Sequence, residues 1–214
     1  MMNWLINTLG SSVGKKLMMS ITGFVFILFL IGHLIGNLTI YVGPDAFNAY
    51  AGHLQSLKPA LRLMESGLIF FAIVHIFTGL ILFYQNFKAR PNRYEVNKQA
   101  GGRTLGSATM PYTGLIILAF VIFHLFDFTF VDKTGRTVYD IVAASFSNPV
   151  YVFLYIASVF IVGIHVSHGF WSAFQTLGIN HPKYMPTIQT AGLLFSLIVA
   201  IGFGFIPLFI SLIS

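Results

Sequence analysis

The chain's 214 residues are 56% hydrophobic and only 8% charged, include 23 Phe and have a mean hydropathy of +0.81, values that exclude a soluble globular domain. The absence of cysteine excludes disulfides, iron–sulfur ligation and thiol nucleophiles, and leaves His, or at best Met, to hold any redox centre. The net charge of +6 reads as the ordinary inner-side bias of a membrane protein, so no nucleic-acid partner is expected.

Near the N-terminus, Gly10-Ser11-Ser12-Val13-Gly14-Lys15-Lys16 has the outline of a phosphate loop. Three residues separate its glycines where that loop has four, Lys16 takes the place of the magnesium-binding hydroxyl, and no strand precedes it, so it reads as a basic stop at the membrane surface. Five apolar runs follow, predicting spans I to V over 17–42, 62–87, 111–130, 150–177 and 188–212. Each reaches the roughly 20 residues that a helix needs to cross about 30 Å of hydrocarbon. Span I is too long and uninterrupted for the core of a cleaved signal peptide, and no small-residue cleavage site follows it.

The links are short. After the turn Gly43-Pro44, Asp45 is expected to cap a helix with Ala46, Phe47, Tyr50, Ala51, Leu54 and Leu57 on one face, lying flat on the outer surface. A second such piece is predicted over 138–146. The link from II to III, with Pro91, Gly101, Gly102 and the charges Lys88, Arg90, Arg93, Glu95, Lys98 and Arg103, is the expected docking surface for an acidic soluble partner or anionic lipid. No internal repeat is evident, and the expected architecture is one all-α membrane domain over 1–214.

Charge placement orients it. Lys15, Lys16, Lys88, Arg90, Arg93, Lys98, Arg103 and Lys183 fall on one side, against Lys58, Arg62, Lys133 and Arg136 on the other, which also holds Asp45, Glu65, Asp127, Asp132 and Asp140. Eight basic residues against four place the N-terminus in the cytoplasm and, after five spans, the C-terminus outside, as in a multi-pass protein of the cytoplasmic membrane.

Four of the seven histidines, His33, His75, His124 and His165, stand one per span in spans I to IV, where an ionisable side chain is expensive unless it is used. At about 1.5 Å per residue, His33 lies roughly 14 Å and His124 roughly 9 Å from the outer ends of their spans, and His75 and His165 roughly 18 Å from the inner ends of theirs. The outer layer therefore pairs His33 with His124, and the inner layer pairs His75 with His165. Two histidines facing each other from different helices supply both axial ligands of a haem iron. Gly36, Gly79 and Gly169 follow their histidines by three or four residues on the same helix face, leaving room for a flat macrocycle; at His124 that place holds Phe128. His168, three residues after His165, is not excluded as a ligand by spacing alone. His53 and His181 read as solvated surface residues.

These residues resemble a known family, the di-haem cytochrome b (b558-type) membrane anchor of succinate dehydrogenases and fumarate reductases that use menaquinone. The matching stretches are Phe29-Leu30-Ile31-Gly32-His33-Leu34-Ile35-Gly36-Asn37, Ile73-Val74-His75-Ile76-Phe77-Thr78-Gly79, Phe120-Val121-Ile122-Phe123-His124 and Gly163-Ile164-His165-Val166-Ser167-His168-Gly169-Phe170-Trp171, on spans I to IV in the family's order. The resemblance selects His165 over His168 as the fourth ligand and implies two haem b groups in a bundle of helices I to IV. It also implies a flavoprotein that interconverts succinate and fumarate and an iron–sulfur subunit as partners, with electrons carried between them and menaquinone. Some members have a Glu two residues before the fourth ligand, implicated in proton movement; Gly163 stands there in this chain.

Quinone chemistry needs a titratable group where the ring binds. Glu65, near the outer mouth of span II, is the first candidate, and the family associates a Glu near that position with quinol chemistry; the alternative is a surface carboxylate paired with Arg62. Asp127 is the second candidate. Competing functions are the cytochrome b subunit of a hydrogenase or formate dehydrogenase and a proton-coupled transporter with histidine relays. The one-ligand-per-span order favours the succinate-linked anchor over the former, and the absence of broken helices or paired half-repeats in the sequence disfavours the latter.

Overall fold

A computed structural model describes residues 7–89 and 105–213, and every regular element among them is helical. After a helical turn over 7–10 come α1 (Ser12–Leu38, continued by the 3-10 turn Thr39–Tyr41), α2 (Pro44–Ser56), α3 (Lys58–Lys88), α4 (Leu105–Phe128), α5 (Val138–Phe146), α6 (Pro149–Thr176) and α7 (Met185–Ile213). Five of them, α1, α3, α4, α6 and α7, are long and apolar enough to cross a membrane. The expected docking link, including Arg90, Arg93, Glu95, Lys98, Gly101, Gly102 and Arg103, lies outside the described residues.

Local chemistry explains where these helices start. Ser11 caps α1, its Oγ accepting the Gly14 N–H at 3.0 Å, so the loop-like glycine segment is the beginning of a membrane helix. Helix α2 is capped by Gly43, whose φ of +130° few other residues adopt, with Pro44 at the first helical position. Asp45 therefore sits inside the first turn and is not the cap expected from the sequence; its carboxylate there complements the helix dipole. Helix α5 spans the residues predicted for it and opens with a capping box: Thr137 Oγ1 accepts the Asp140 N–H at 3.2 Å and Asp140 Oδ2 accepts the Thr137 N–H at 2.8 Å. Helix α4 begins six residues before the predicted span III, with Pro111 inside it. The added turns pack on α6, where the Gly106 backbone lies against His168 Cβ.

Helix α1 contacts α3, α6 and α7, α4 packs on α6, and the most extensive contact joins α6 to α7, whereas α3 and α4 meet over only a few residues. The order around the bundle is thus α3, α1, α6, α4, with α7 backing α1 and α6. The end that carries α2 and α5 is the outer one in the charge-based expectation. There Ile40, Phe47, Val142, Phe146, Tyr155, Ile206 and Ile210 form a buried core, and the Tyr139 N–H donates to Asn48 Oδ1 at 3.0 Å to join α5 to α2. At the opposite end Lys15 Nζ donates to Gln85 Oε1 at 2.7 Å, tying α1 to α3.

Candidate functional site

The bundle brings together the histidines that the sequence singled out. His33 on α1 and His124 on α4 have ring centres 5.9 Å apart with planes at 90°. Two imidazoles that ligate one metal from opposite sides at about 2 Å per bond hold their ring centres about 6 Å apart, so the separation fits a shared iron. Aromatic side chains enclose this pair: Phe29 stacks on His33 at 5.1 Å, Phe203 of α7 lies 5.4 Å from it, and Phe128 and Tyr155 stand 5.3 and 6.0 Å from His124. Such walls are mostly apolar, and the one hydroxyl among them, on Tyr155, is engaged by Asp127.

The second pair lies deeper. His75 on α3 has its Nδ1 2.8 Å from Thr22 Oγ1 on α1, and His165 on α6 has its Nδ1 3.0 Å from Thr113 Oγ1 on α4. Thr22 precedes His33 by eleven residues, and Thr113 precedes His124 by eleven, which separates the two layers by about 16 Å along the helix axes.

The free ring atoms fit an axial ligand set. His33 Nδ1 is 3.5 Å from Asn37 Nδ2, the Nδ1 atoms of His75 and His165 are engaged by threonine, and His124 Nδ1 is buried without a partner. Among the described residues no hydrogen bond reaches the Nε2 of any of the four. Among them, too, no three His, Cys, Asp or Glu side chains converge. Donors that come in pairs would suit a haem, which brings further nitrogens of its own to the iron, better than a closed four-ligand site.

The other candidates fall outside these pairs. His168 lies one turn from His165, with its ring edge-on to Trp171 at 4.8 Å and its Cβ against Gly106. His53 and His181 are exposed. Glu65 Oε2 accepts from Arg62 Nη1 at 3.1 Å on the exposed side of α3. Asp127, one turn past His124, accepts the Tyr155 hydroxyl at 2.7 Å. It also lines a cleft of about 360 Å³ at the outer end, together with Arg136, Ile141, Ser145, Asn148 and Tyr151.

Two of the three glycines are used differently from the expectation. The room at Gly36 is taken by the ring of Tyr50 from α2, so that glycine seats the surface helix. Gly79 faces Met19, and Gly169 opens on free space. The glycines against the inner imidazoles are Gly23 and Gly114, where an added Cβ would stand 3.9 Å from His75 Cε1 and 3.5 Å from His165 Cε1. Gly163 packs on α7, 3.1 Å in the same sense from Ala200 Cβ, so a Glu there would force the two helices apart.

Sequence reading missed Thr22 and Thr113, although a signal for them exists. Thr22-Gly23 followed after nine residues by His33 recurs as Thr113-Gly114 followed after nine by His124, and His75 with Gly79 recurs as His165 with Gly169. The chain does contain a short repeat: two helix pairs, each giving one histidine to each layer.

No protein-family model matches the chain, and no solved structure matches it. It is similar to the succinate dehydrogenase cytochrome b558 subunit of Bacillus subtilis (strain 168), with 29% identity over 183 residues, 85% of this chain and 86% of that protein.

Proposed function

We propose that the chain is a di-haem cytochrome b that anchors a succinate dehydrogenase or fumarate reductase complex in the membrane and connects it electrically to menaquinone. The observation that carries this reading is the meeting of the His33 and His124 rings, 5.9 Å apart, in a bundle of membrane-length helices that also carries His75 and His165 one per helix, with no hydrogen bond among the described residues reaching the Nε2 of any of the four. Similarity to a subunit named for succinate dehydrogenase and for cytochrome b558 supports it. In this reading His33 and His124 hold the outer haem and His75 and His165 the inner one, with Gly23 and Gly114 against the inner imidazoles and open space at Gly169. Haem in both layers would supply one-electron relays across the bilayer.

The chain's own residues do the rest. Phe29, Phe203 and Phe128 pack against the outer pair and give it a largely apolar surround. At the outer mouth of α3, Glu65 is the group proposed to exchange protons with the quinone, oriented by Arg62; Asp127, facing its cleft, is the alternative. Flavin and iron–sulfur centres are assigned to partner subunits, because the chain has no cysteine and no dinucleotide-binding fingerprint. The basic inner side, with Lys15, Lys16, Lys88 and Lys183, is where those partners would dock, with the N-terminus in the cytoplasm.

The test is purification of the protein from its native membrane. A reduced-minus-oxidised spectrum of a b-type cytochrome, two haems per chain, and co-purification of a flavoprotein and an iron–sulfur protein are expected. A protein without haem refutes the cytochrome reading, and haem accompanied by a hydrogenase or formate dehydrogenase subunit refutes the assignment to a succinate-linked complex.

A further inference from the structure

The two threonines bonded to the inner histidines constrain more than position. A threonine hydroxyl has one hydrogen to donate and two lone pairs. Thr22 Oγ1 lies 2.7 Å from the Met18 carbonyl oxygen and 3.2 Å from that of Met19, and Thr113 Oγ1 lies 3.1 Å from the carbonyl oxygens of both Thr109 and Met110. Carbonyl oxygens only accept, so a hydroxyl hydrogen directed to its own helix satisfies one of them and relieves the close approach of oxygen to oxygen. The lone pairs then face the imidazoles at 2.8 and 3.0 Å, and those contacts are favourable only if Nδ1 carries the hydrogen. A neutral imidazole protonated at Nδ1 has its lone pair at Nε2.

We infer that Thr22 and Thr113 are positioning residues that hold His75 and His165 in the Nδ1–H tautomer and strengthen both as donors to a metal at Nε2. The inference rests on the di-haem reading. The relay Nδ1–H to Oγ1–H to carbonyl pushes electron density onto the ring, as partners to the distal nitrogen of a ligating histidine do elsewhere. It occurs twice, in the two halves of the repeat, and among the described residues only in the inner layer. At the outer layer the corresponding contacts are a 3.5 Å approach of Asn37 to His33 and none at His124 Nδ1. The four ligands thus form two classes: inner ones anchored through a hydroxyl and outer ones held by packing.

A stronger donor favours ferric over ferrous iron, so removing the hydroxyl is expected to raise the inner midpoint potential. The test is a redox titration of the purified complex carrying Thr22→Val, Thr113→Val or Thr22→Ser, followed by visible spectra. The inner component is identified as the one lost in His75→Ala. Valine keeps the branched shape and removes the acceptor. Both haems are expected to remain, with the inner potential raised by roughly tenfold in the ferric-to-ferrous binding ratio, about 59 mV for one electron, and the outer one unmoved. Thr22→Ser, which retains the hydroxyl, is expected to match wild type. An unmoved inner potential in both valine variants, equal shifts in both layers, or a serine variant that behaves like valine overturns the inference. If valine expels the inner haem, serine decides: wild-type potential supports the inference and loss of the haem overturns it. A wild-type complex without haem fails the di-haem reading itself, a result visible before any variant is made.

Discussion

Tyr155→Phe isolates a single bond beside the outer histidine pair. The ring of Tyr155 is 5% exposed and packs against Phe120, Phe123, Phe128, Phe146 and His124, contacts that phenylalanine retains. The variant loses only the hydroxyl, which donates to Asp127 Oδ2 at 2.7 Å, a length typical of a hydroxyl bonded to a carboxylate. Bonds to charged groups contribute about 1.5–3 kcal/mol. Asp127 is partly buried and faces the outer cleft, where water takes over part of the lost bond, so a destabilisation of about 1.5 kcal/mol is expected, at the low end of that range. Equilibrium unfolding in mixed micelles reads the value, and a cycle with Asp127→Asn should show the two changes to be non-additive. Haem content should stay at the wild-type level, because no ligand is touched. A variant within about 0.5 kcal/mol of wild type, or strict additivity in the cycle, refutes the argument that this bond holds the outer ends of α4 and α6 together.

Further outcomes follow from the site. His33→Ala or His124→Ala should remove mainly the outer haem and His75→Ala or His165→Ala mainly the inner one, while His168→Ala keeps both; haem quantitation and difference spectra check this, and loss of a haem in His168→Ala but not in His165→Ala would shift the α6 ligand by one turn. Glu65→Gln should abolish quinone turnover with both haem spectra intact and with succinate oxidation by an artificial acceptor preserved; wild-type quinone rates would leave Glu65 as the surface partner of Arg62 and make Asp127 the next residue to replace. At the outer loop, the Asp140 carboxyl is held below its ordinary value of 3.8 first by the backbone N–H of Thr137 and then by its side chain, and Asp132 is lowered likewise by Thr134. A depressed carboxyl stabilises the fold above its ordinary value and loses that contribution as pH falls through the lowered one. Hydrogen exchange at the Thr134 and Thr137 amides, corrected for intrinsic rate, should therefore hold steady near neutrality and accelerate below about pH 4, a response that Asp132→Asn and Asp140→Asn should remove.

The five membrane helices were legible because a bilayer demands long apolar runs, and hydropathy reads such runs directly. Their ends were less so: Pro111 resembles a helix start in one dimension, yet Gly106 against His168 carries α4 a further six residues. The pairing of His33 with His124 followed from residue counts along straight helices, and the ring contact agrees with it. What residue counts could not supply were the side-chain bonds between helices. Thr22 and His75 are 53 residues apart, and nothing local marks them as partners until the same pairing recurs at Thr113 and His165. Gly36 illustrates the converse, since its spacing to His33 suggested a macrocycle, whereas the space is filled by Tyr50 from a helix whose docking angle no periodicity encodes.

The chain's connectivity gives the two histidine layers different positions in the order of synthesis. Because α1 and α4 supply the outer pair, both of its members exist once the third membrane helix is made. The inner pair must wait for His165 on the fourth. Between them the ribosome delivers α5, the piece that binds Asn48 of α2 through a bond spanning 91 residues and packs Phe146 into the outer core. With N-terminal parts emerging first, His33 and His124 are both present and α5 has been made while His165, the partner of His75 in the proposed inner layer, is still to come.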